Sequence, residues 1–343
     1  MSRVGVSAGG WQVICAFLLV LAVAVPLRAQ QASPPPITAG PVTISGYLQA
    51  DAIVADDPEE QTSLETPDTF RIRRARVGLS GKLTPKLQWK VQAELANLSN
   101  GARVLRDAYL SYEAHDAVAV QAGQFVAPFS LERLTSTSRL EVIDRSVIGD
   151  DLSPSRDMGV MLFNPKPFFG WLSYHAAVIN GTGQNQTDDN DAKDFVGRVS
   201  VAVPQVKGLT LAVNGTRGGQ PEGLRTRAGF DASFERPAYR LAFETVRQRL
   251  DYARFRETDG FLILGVYRHK ARNPSPHYAG CELAVRYVHV DDDGYTLTTD
   301  TLQFGGNYYL TPQVRVMSNL AVPVSEDQPR NQLRWWSRVQ VVF

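Results

Sequence analysis

Three things are scarce in this sequence, and each scarcity removes a class of protein. There are two cysteines in 343 residues, Cys15 and Cys281. Cys15 sits in an apolar leader that is expected to be removed, so Cys281 stands alone and neither an internal disulfide nor a thiolate metal cluster is possible. Excess charge is absent: 36 Lys and Arg against 35 Asp and Glu leave +1. Nucleic-acid binding needs a basic footprint, so nucleic acid is excluded as a partner. Long apolar runs are absent after residue 29, and a spanning helix needs about 20 such residues. Sustained helical periodicity is also missing there, apart from one loop.

The apolar run that does occur is at the start. Arg3 precedes Trp11 to Val25 (WQVICAFLLVLAVAV), and Leu27-Arg28-Ala29 offers a small residue before Gln30. A charged start, a run of about 15 apolar residues and a small-residue exit form a secretory signal. Residues 1–29 are therefore expected to be cleaved, leaving 34 basic residues against 35 acidic, a net −1. Cys15 lies inside the run rather than just after it, which argues against a lipoprotein anchor. Residues 30–40 are proline-rich and read as an extended lead-in.

From residue 41 to 343 the chain alternates with period two. Leu87, Trp89, Val91, Ala93 and Leu95 fall on one face of a strand, and Gln88, Lys90, Gln92 and Glu94 on the other. Strands are expected near 42–54, 69–82, 86–97, 103–112, 117–126, 158–164, 168–180, 194–203, 209–217, 224–234, 238–247, 260–269, 279–290, 300–310, 314–321 and 332–343. These segments approach the roughly 10 residues a tilted strand needs to cross a bilayer. Short turns such as Leu83 to Lys86 alternate with long polar stretches at 55–68, 127–157, 181–193, 248–259 and 322–331. A connection at 270–278 breaks that rule by its length. Aromatic residues at strand ends on the apolar parity (Tyr112, Phe163, Tyr267, Tyr287, Tyr308, Trp335) suit an interfacial girdle. The fold class is all-β, a closed antiparallel transmembrane barrel of about 16 strands. A secreted β-sandwich is the alternative, but a chain this long would then split into domains, and no linker follows residue 41.

In such a barrel the polar parity lines the lumen. It carries Arg74, Arg76, Lys90, Arg198, Arg225, Arg227, Arg240, Arg286, Arg315, Arg334 and Arg338 against Asp51, Glu94, Asp107, Asp231, Glu244 and Glu282. A surplus of fixed guanidinium groups favours anions, although arginines in a lumen can also serve only to pair with carboxylates. The long loop 127–157 holds Phe129, Leu131, Leu134, Leu140, Val142 and Ile143 at roughly helical spacing. These side chains need a surface, and folding into the lumen would supply one and narrow it. Its Arg133, Arg139, Arg145 and Arg156 are outnumbered by six acids; the acids are expected to pair with Arg133, Arg139 and Arg145, leaving the wall to set the field. A hydrolase at the rim is the competing class, and of the five histidines only His289, beside Asp291 to Asp293, is suggestive, an arrangement that an acidic hairpin tip explains without chemistry. No cofactor and no metal site is expected. The partners this reading implies are outer-membrane lipid and lipopolysaccharide, and small anionic or polar solutes.

Several segments resemble the phosphate-selective porin O/P family. They are Phe70 to Leu79 (FRIRRARVGL) with Leu87 to Glu94, then Gly123 to Leu134 (GQFVAPFSLERL) leading to Asp144-Arg145-Ser146 and Arg156 to Val160. Glu282 to Tyr287 and Gly306 to Arg315 continue the likeness. The resemblance implies a sixteen-stranded homotrimeric porin whose third external loop enters the channel, with an arginine ladder to which Arg73, Arg74 and Arg76 would belong. It also implies lysines at the constriction of members that select phosphate, and residues 127–157 contain none.

Overall fold

The computed structural model describes residues 42–55, 68–96, 104–221, 223–252, 255–275, 278–293, 297–325 and 333–343. The expected signal peptide, 1–29, and lead-in, 30–40, lie outside the described residues. Sixteen strands follow one another. They are β1 (Thr43–Ala55), β2 (Asp68–Lys82), β3 (Leu87–Glu94), β4 (Leu105–His115), β5 (Val118–Val126), β6 (Arg156–Phe163), β7 (Leu172–Ile179) and β8 (Asp194–Ala202). The second half comprises β9 (Leu209–Gln220), β10 (Gly223–Glu235), β11 (Tyr239–Asp251), β12 (Phe255–Ser275), β13 (Tyr278–Asp292), β14 (Leu297–Tyr309), β15 (Val314–Pro323) and β16 (Arg334–Val342). Each pairs antiparallel with its sequence neighbour, and β1 pairs with β16, so the sheet closes. Closure leaves no strand edge, as lipid demands. No helix among the described residues is long and apolar enough to cross a membrane.

The alternation sorts as expected. Leu48, Ile72, Leu110, Val199, Leu241 and Val339 are exposed on the outer surface, while Gln49, Asp51, Arg74, Ser111, Arg198 and Arg338 are buried within. Phe163 is a correction: it stands opposite buried Ala119, packs against the interior apolar cluster and stacks on His175. It therefore does not belong to the outer aromatic girdle.

Two connections also differ from expectation. The stretch 248–259 is not a long loop: β11 runs to Asp251 and β12 starts at Phe255. Its polar residues stand opposite each other across the hairpin, Arg247 facing Asp259 and Arg249 facing Glu257, with ion pairs of 2.7 and 3.3 Å. Cross-strand ion pairs imitate a polar loop in sequence. At 270–278, β12 and β13 simply run on to Ser275 and Tyr278, and an irregularity between Lys270 and Ser275 absorbs the extra residues.

The β1–β16 seam carries a buried ion pair. Asp51 stands opposite Arg338, and the guanidinium donates from Nε (2.6 Å) and a terminal nitrogen (2.9 Å) to its two oxygens. Removing one partner of such a pair costs about 3–5 kcal/mol, because the other charge stays buried. Arg338→Met should accordingly lower the urea midpoint of the folded barrel in vesicles, whereas an unchanged midpoint would show that the seam does not depend on the pair.

Candidate channel constriction

The segment between β5 and β6 is the loop expected from the sequence to enter the lumen. Two single turns punctuate it, α1 (Leu131–Leu134) and α2 (Val147–Asp150), capped by the side chains of Ser130 and Ser146. These turns are much shorter than the helical spacing of its apolar residues suggested, and Leu134 is exposed. The strand starts at Arg156, which pairs with Asp107 of β4 at 2.6 Å, so Arg156 belongs to the wall rather than to the loop.

What holds the segment is an apolar patch on the inner wall. Val246, Leu262, Leu264, Val266, Ala284, Val288 and Val290 of β11–β13 point inward and are buried together with Phe129, Val142, Ile148 and Leu152. Gly260 makes room for this: a Cβ there would stand 2.3 Å from the end of the Ile148 side chain. The sequence Phe261 to Val266 (FLILGV) is apolar at nearly every position, as expected for a strand covered on both faces.

Polar bonds then tie the segment around the lumen. The Thr137 carbonyl accepts from Gln49 of β1 (3.1 Å) and the Ser138 carbonyl from Arg315 of β15 and Gln340 of β16 (both 3.0 Å). Glu141 accepts from Arg240 of β11 (2.7 Å) and Arg268 of β12 (2.8 Å). Asp144 accepts from Arg74 (2.7 Å), Arg73 (3.1 Å) and Arg338 (3.2 Å), and Glu132 pairs with Arg286 of β13. A segment that leaves β5 and bonds to β1, β2, β11–β13, β15 and β16 lies within the ring of strands. Asp144 has φ 63°, a left-handed conformation that aspartate tolerates better than most residues. Burial opposes its ionisation, but the guanidinium groups of Arg74, Arg338 and Arg73 outweigh burial and hold its carboxyl below the usual carboxylate range.

These contacts correct the expected charge balance. The loop acids Glu132, Glu141 and Asp144 bond to wall arginines, not to Arg133, Arg139 and Arg145. Asp150 is the loop acid that pairs as expected, with Arg133 at 2.6 Å and Arg145 at 3.7 Å; Arg145 also donates to the carbonyls of Glu132, Arg133 and Thr135, and Arg139 is exposed. Much of the wall is neutralised as well. Arg76 pairs with Glu94 (2.7 Å), Lys90 with Asp107 (2.7 Å), Arg198 with Asp231 (2.6 Å) and Arg225 with Asp194 (3.3 Å). Arg227 is bonded to Gln248 and Arg315 to Gln340. Arg334 is exposed at the start of β16, over the Trp336 ring.

Between this loop and the β2–β4 wall lies a polar cavity of about 400 Å³. Among the described residues it is lined by Arg73, Arg74, Arg76, Arg106, Arg133 and Arg145, with Glu94 and Asp150 as acids, together with Ser155 and Gln184. Sequence parity finds only part of this cluster, because two β-bulges intervene. The β1–β2 register skips Arg73 and the β3–β4 register skips Arg106. A bulge leaves one residue unpaired and re-aims it, so Arg73 joins Arg74 on the cavity although they are adjacent in sequence. Arg106 was missed altogether, as was Arg268; Arg106 has no signal in the alternation, whereas Arg268 continues the inward parity of Leu262, Leu264 and Val266.

His289 meets Asp300 of β14 at 2.7 Å rather than the acids of its own hairpin tip. Tyr287 donates to the same carboxylate, and the imidazole packs on Phe261. No serine is bonded to this cluster among the described residues.

A closed barrel of sixteen antiparallel strands with an inward-bonded loop defines an outer-membrane porin. Residues 42–218 match the model of the family described as phosphate-selective porin O and P, and the chain belongs to that family. No curated protein matches the chain. Among solved structures it is similar to an anion-selective porin from Comamonas acidovorans (12% identity, 88% of this chain and 99% of that one, TM-score 0.65). It is likewise similar to the outer-membrane channel DcaP of Acinetobacter baumannii (12%, 88% and 97%, 0.64). The trimer form of OmpT from Vibrio cholerae gives 12%, 89% and 100%, with a TM-score of 0.59. At these identities the likeness speaks for the fold.

Proposed function

We propose that this porin passes small hydrophilic solutes by diffusion, with a weak to moderate preference for anions, through a constriction made by residues 127–155 and the β2–β4 wall. The observation that carries this reading is the cavity lining, whose six guanidinium groups face Glu94, Asp150 and the adjoining Asp144, a surplus of positive charge that remains after pairing. Guanidinium rings on a pore wall attract anions and disfavour cations. The wall as a whole contributes less, since its arginines are largely paired and paired charges project little field. On this reading residues 1–29 are a cleaved signal, the protein takes no cofactor, and its surroundings are outer-membrane lipid and lipopolysaccharide. Three copies assemble, in line with the trimer form of the Vibrio OmpT similar in fold.

The test is the reversal potential of single channels in a potassium chloride gradient. We expect the wild type to favour chloride and the Arg106→Gln, Arg133→Gln double variant to shift toward potassium, more strongly at low salt, where screening is weaker. A wild-type channel that already favours potassium would overturn the anion reading and leave the porin fold untouched.

A further inference from the structure

We infer that the arginine cavity is a saturable site for a small organic polyanion, a molecule bearing two or more carboxylate or phosphoryl groups on a short carbon frame. This rests on the anion-channel reading and adds to it a bound substrate class. The cavity volume, about 400 Å³, falls in the range that encloses small organic ligands and far exceeds what one tetrahedral phosphate fills.

The placement of charge selects for more than one anionic group. Arg73, Arg74 and Arg106 come from the barrel wall, and Arg133 and Arg145 from the loop facing it. A monoanion satisfies one side at a time, whereas a polyanion can bridge both. Arg106 has no ion-pair partner among the described residues, and its Nε and that of Arg133 are buried without an acceptor. Buried donors left unbonded are costly, and forked carboxylate or phosphoryl oxygens match guanidinium geometry. Arginine at every basic position of the cavity among the described residues favours this planar two-point recognition over a point charge.

The experiment is current block of single channels in potassium chloride by citrate and by phosphoenolpyruvate, with acetate and inorganic phosphate as simple-anion probes. We expect citrate or phosphoenolpyruvate to block saturably, with half-block at a concentration at least tenfold below that of acetate and inorganic phosphate. Which of the two blocks better tells whether carboxylates alone suffice or a phosphoryl group is needed. Arg106→Lys keeps the charge and loses the fork, so it should raise the half-block concentration severalfold. Arg133→Gln should raise it too, whereas Arg247→Gln, on the outer surface, should not. Linear block without saturation, equal block by inorganic phosphate, or indifference to Arg106→Lys overturns the site. Anion preference with no saturable block defeats this inference alone; loss of anion preference in the wild type defeats the reading beneath it.

Discussion

Deleting the 15 residues Leu134 to Ile148 should raise single-channel conductance severalfold, because the narrowest section of a pore sets its resistance. The deletion removes Leu140, Val142, Ile143 and Ile148, which are buried, so the remaining stub can no longer lie along the β11–β13 wall. It also removes Glu141 and Asp144, the acids bonded to Arg240, Arg268, Arg73, Arg74 and Arg338. Arg139 and Arg145 go with them, so the net charge of the chain is unchanged. Arg73, Arg74 and Arg240 nevertheless lose these counter-charges while remaining fixed on strands, whereas Arg338 keeps Asp51 and Arg268 keeps Glu235 and Glu282. Anion preference should therefore rise along with conductance. Conductance equal to that of the wild type would mean that ions pass elsewhere than beside this loop.

The barrel was legible in the sequence because a strand's side-chain period is fixed at two, and a lipid-facing wall must repeat that period in every strand. Leu241, Val339 and Trp89 could be assigned to the outer face from that alone. The site was less legible for two physical reasons. A bulge adds one residue to one strand, and nothing in Phe70 to Arg76 or in Leu105 to Asp107 announces which residue is extra. Arg73 consequently counts as outward by parity and lies on the cavity. The second reason is that the loop's partners are distant in sequence: Glu141 meets Arg240, and Glu132 meets Arg286. Local composition offers Arg133 and Arg145 as nearer partners, but Asp150 and backbone carbonyls occupy them. One signal could have located the loop's anchor. The run Phe261 to Val266 does not alternate, and in a barrel whose lumen is otherwise polar, an inward-facing Leu262, Leu264 and Val266 call for something apolar to cover them.

A single arginine should separate the two faces of this wall by its cost in folding. Val339 is 48% exposed on the outer surface of β16, between Trp335 and Phe343, which bracket the apolar band at its two ends on the same parity. That places Val339 near mid-depth, where an arginine facing lipid costs about 2–4 kcal/mol. Ser200 sits on β8 two residues from the buried, lumen-facing Arg198, so its side chain points into the wet interior. Val339→Arg should lower folding stability in bilayers by about 2–4 kcal/mol, read as a shift in the urea midpoint with the slope unchanged. Ser200→Arg should fold nearly as the wild type does and change the current instead, since a charge in the lumen acts on ions rather than on insertion. Equal folding of the two variants would show that Val339 does not face the hydrocarbon, and the inward and outward assignment of β16 would have to be reversed.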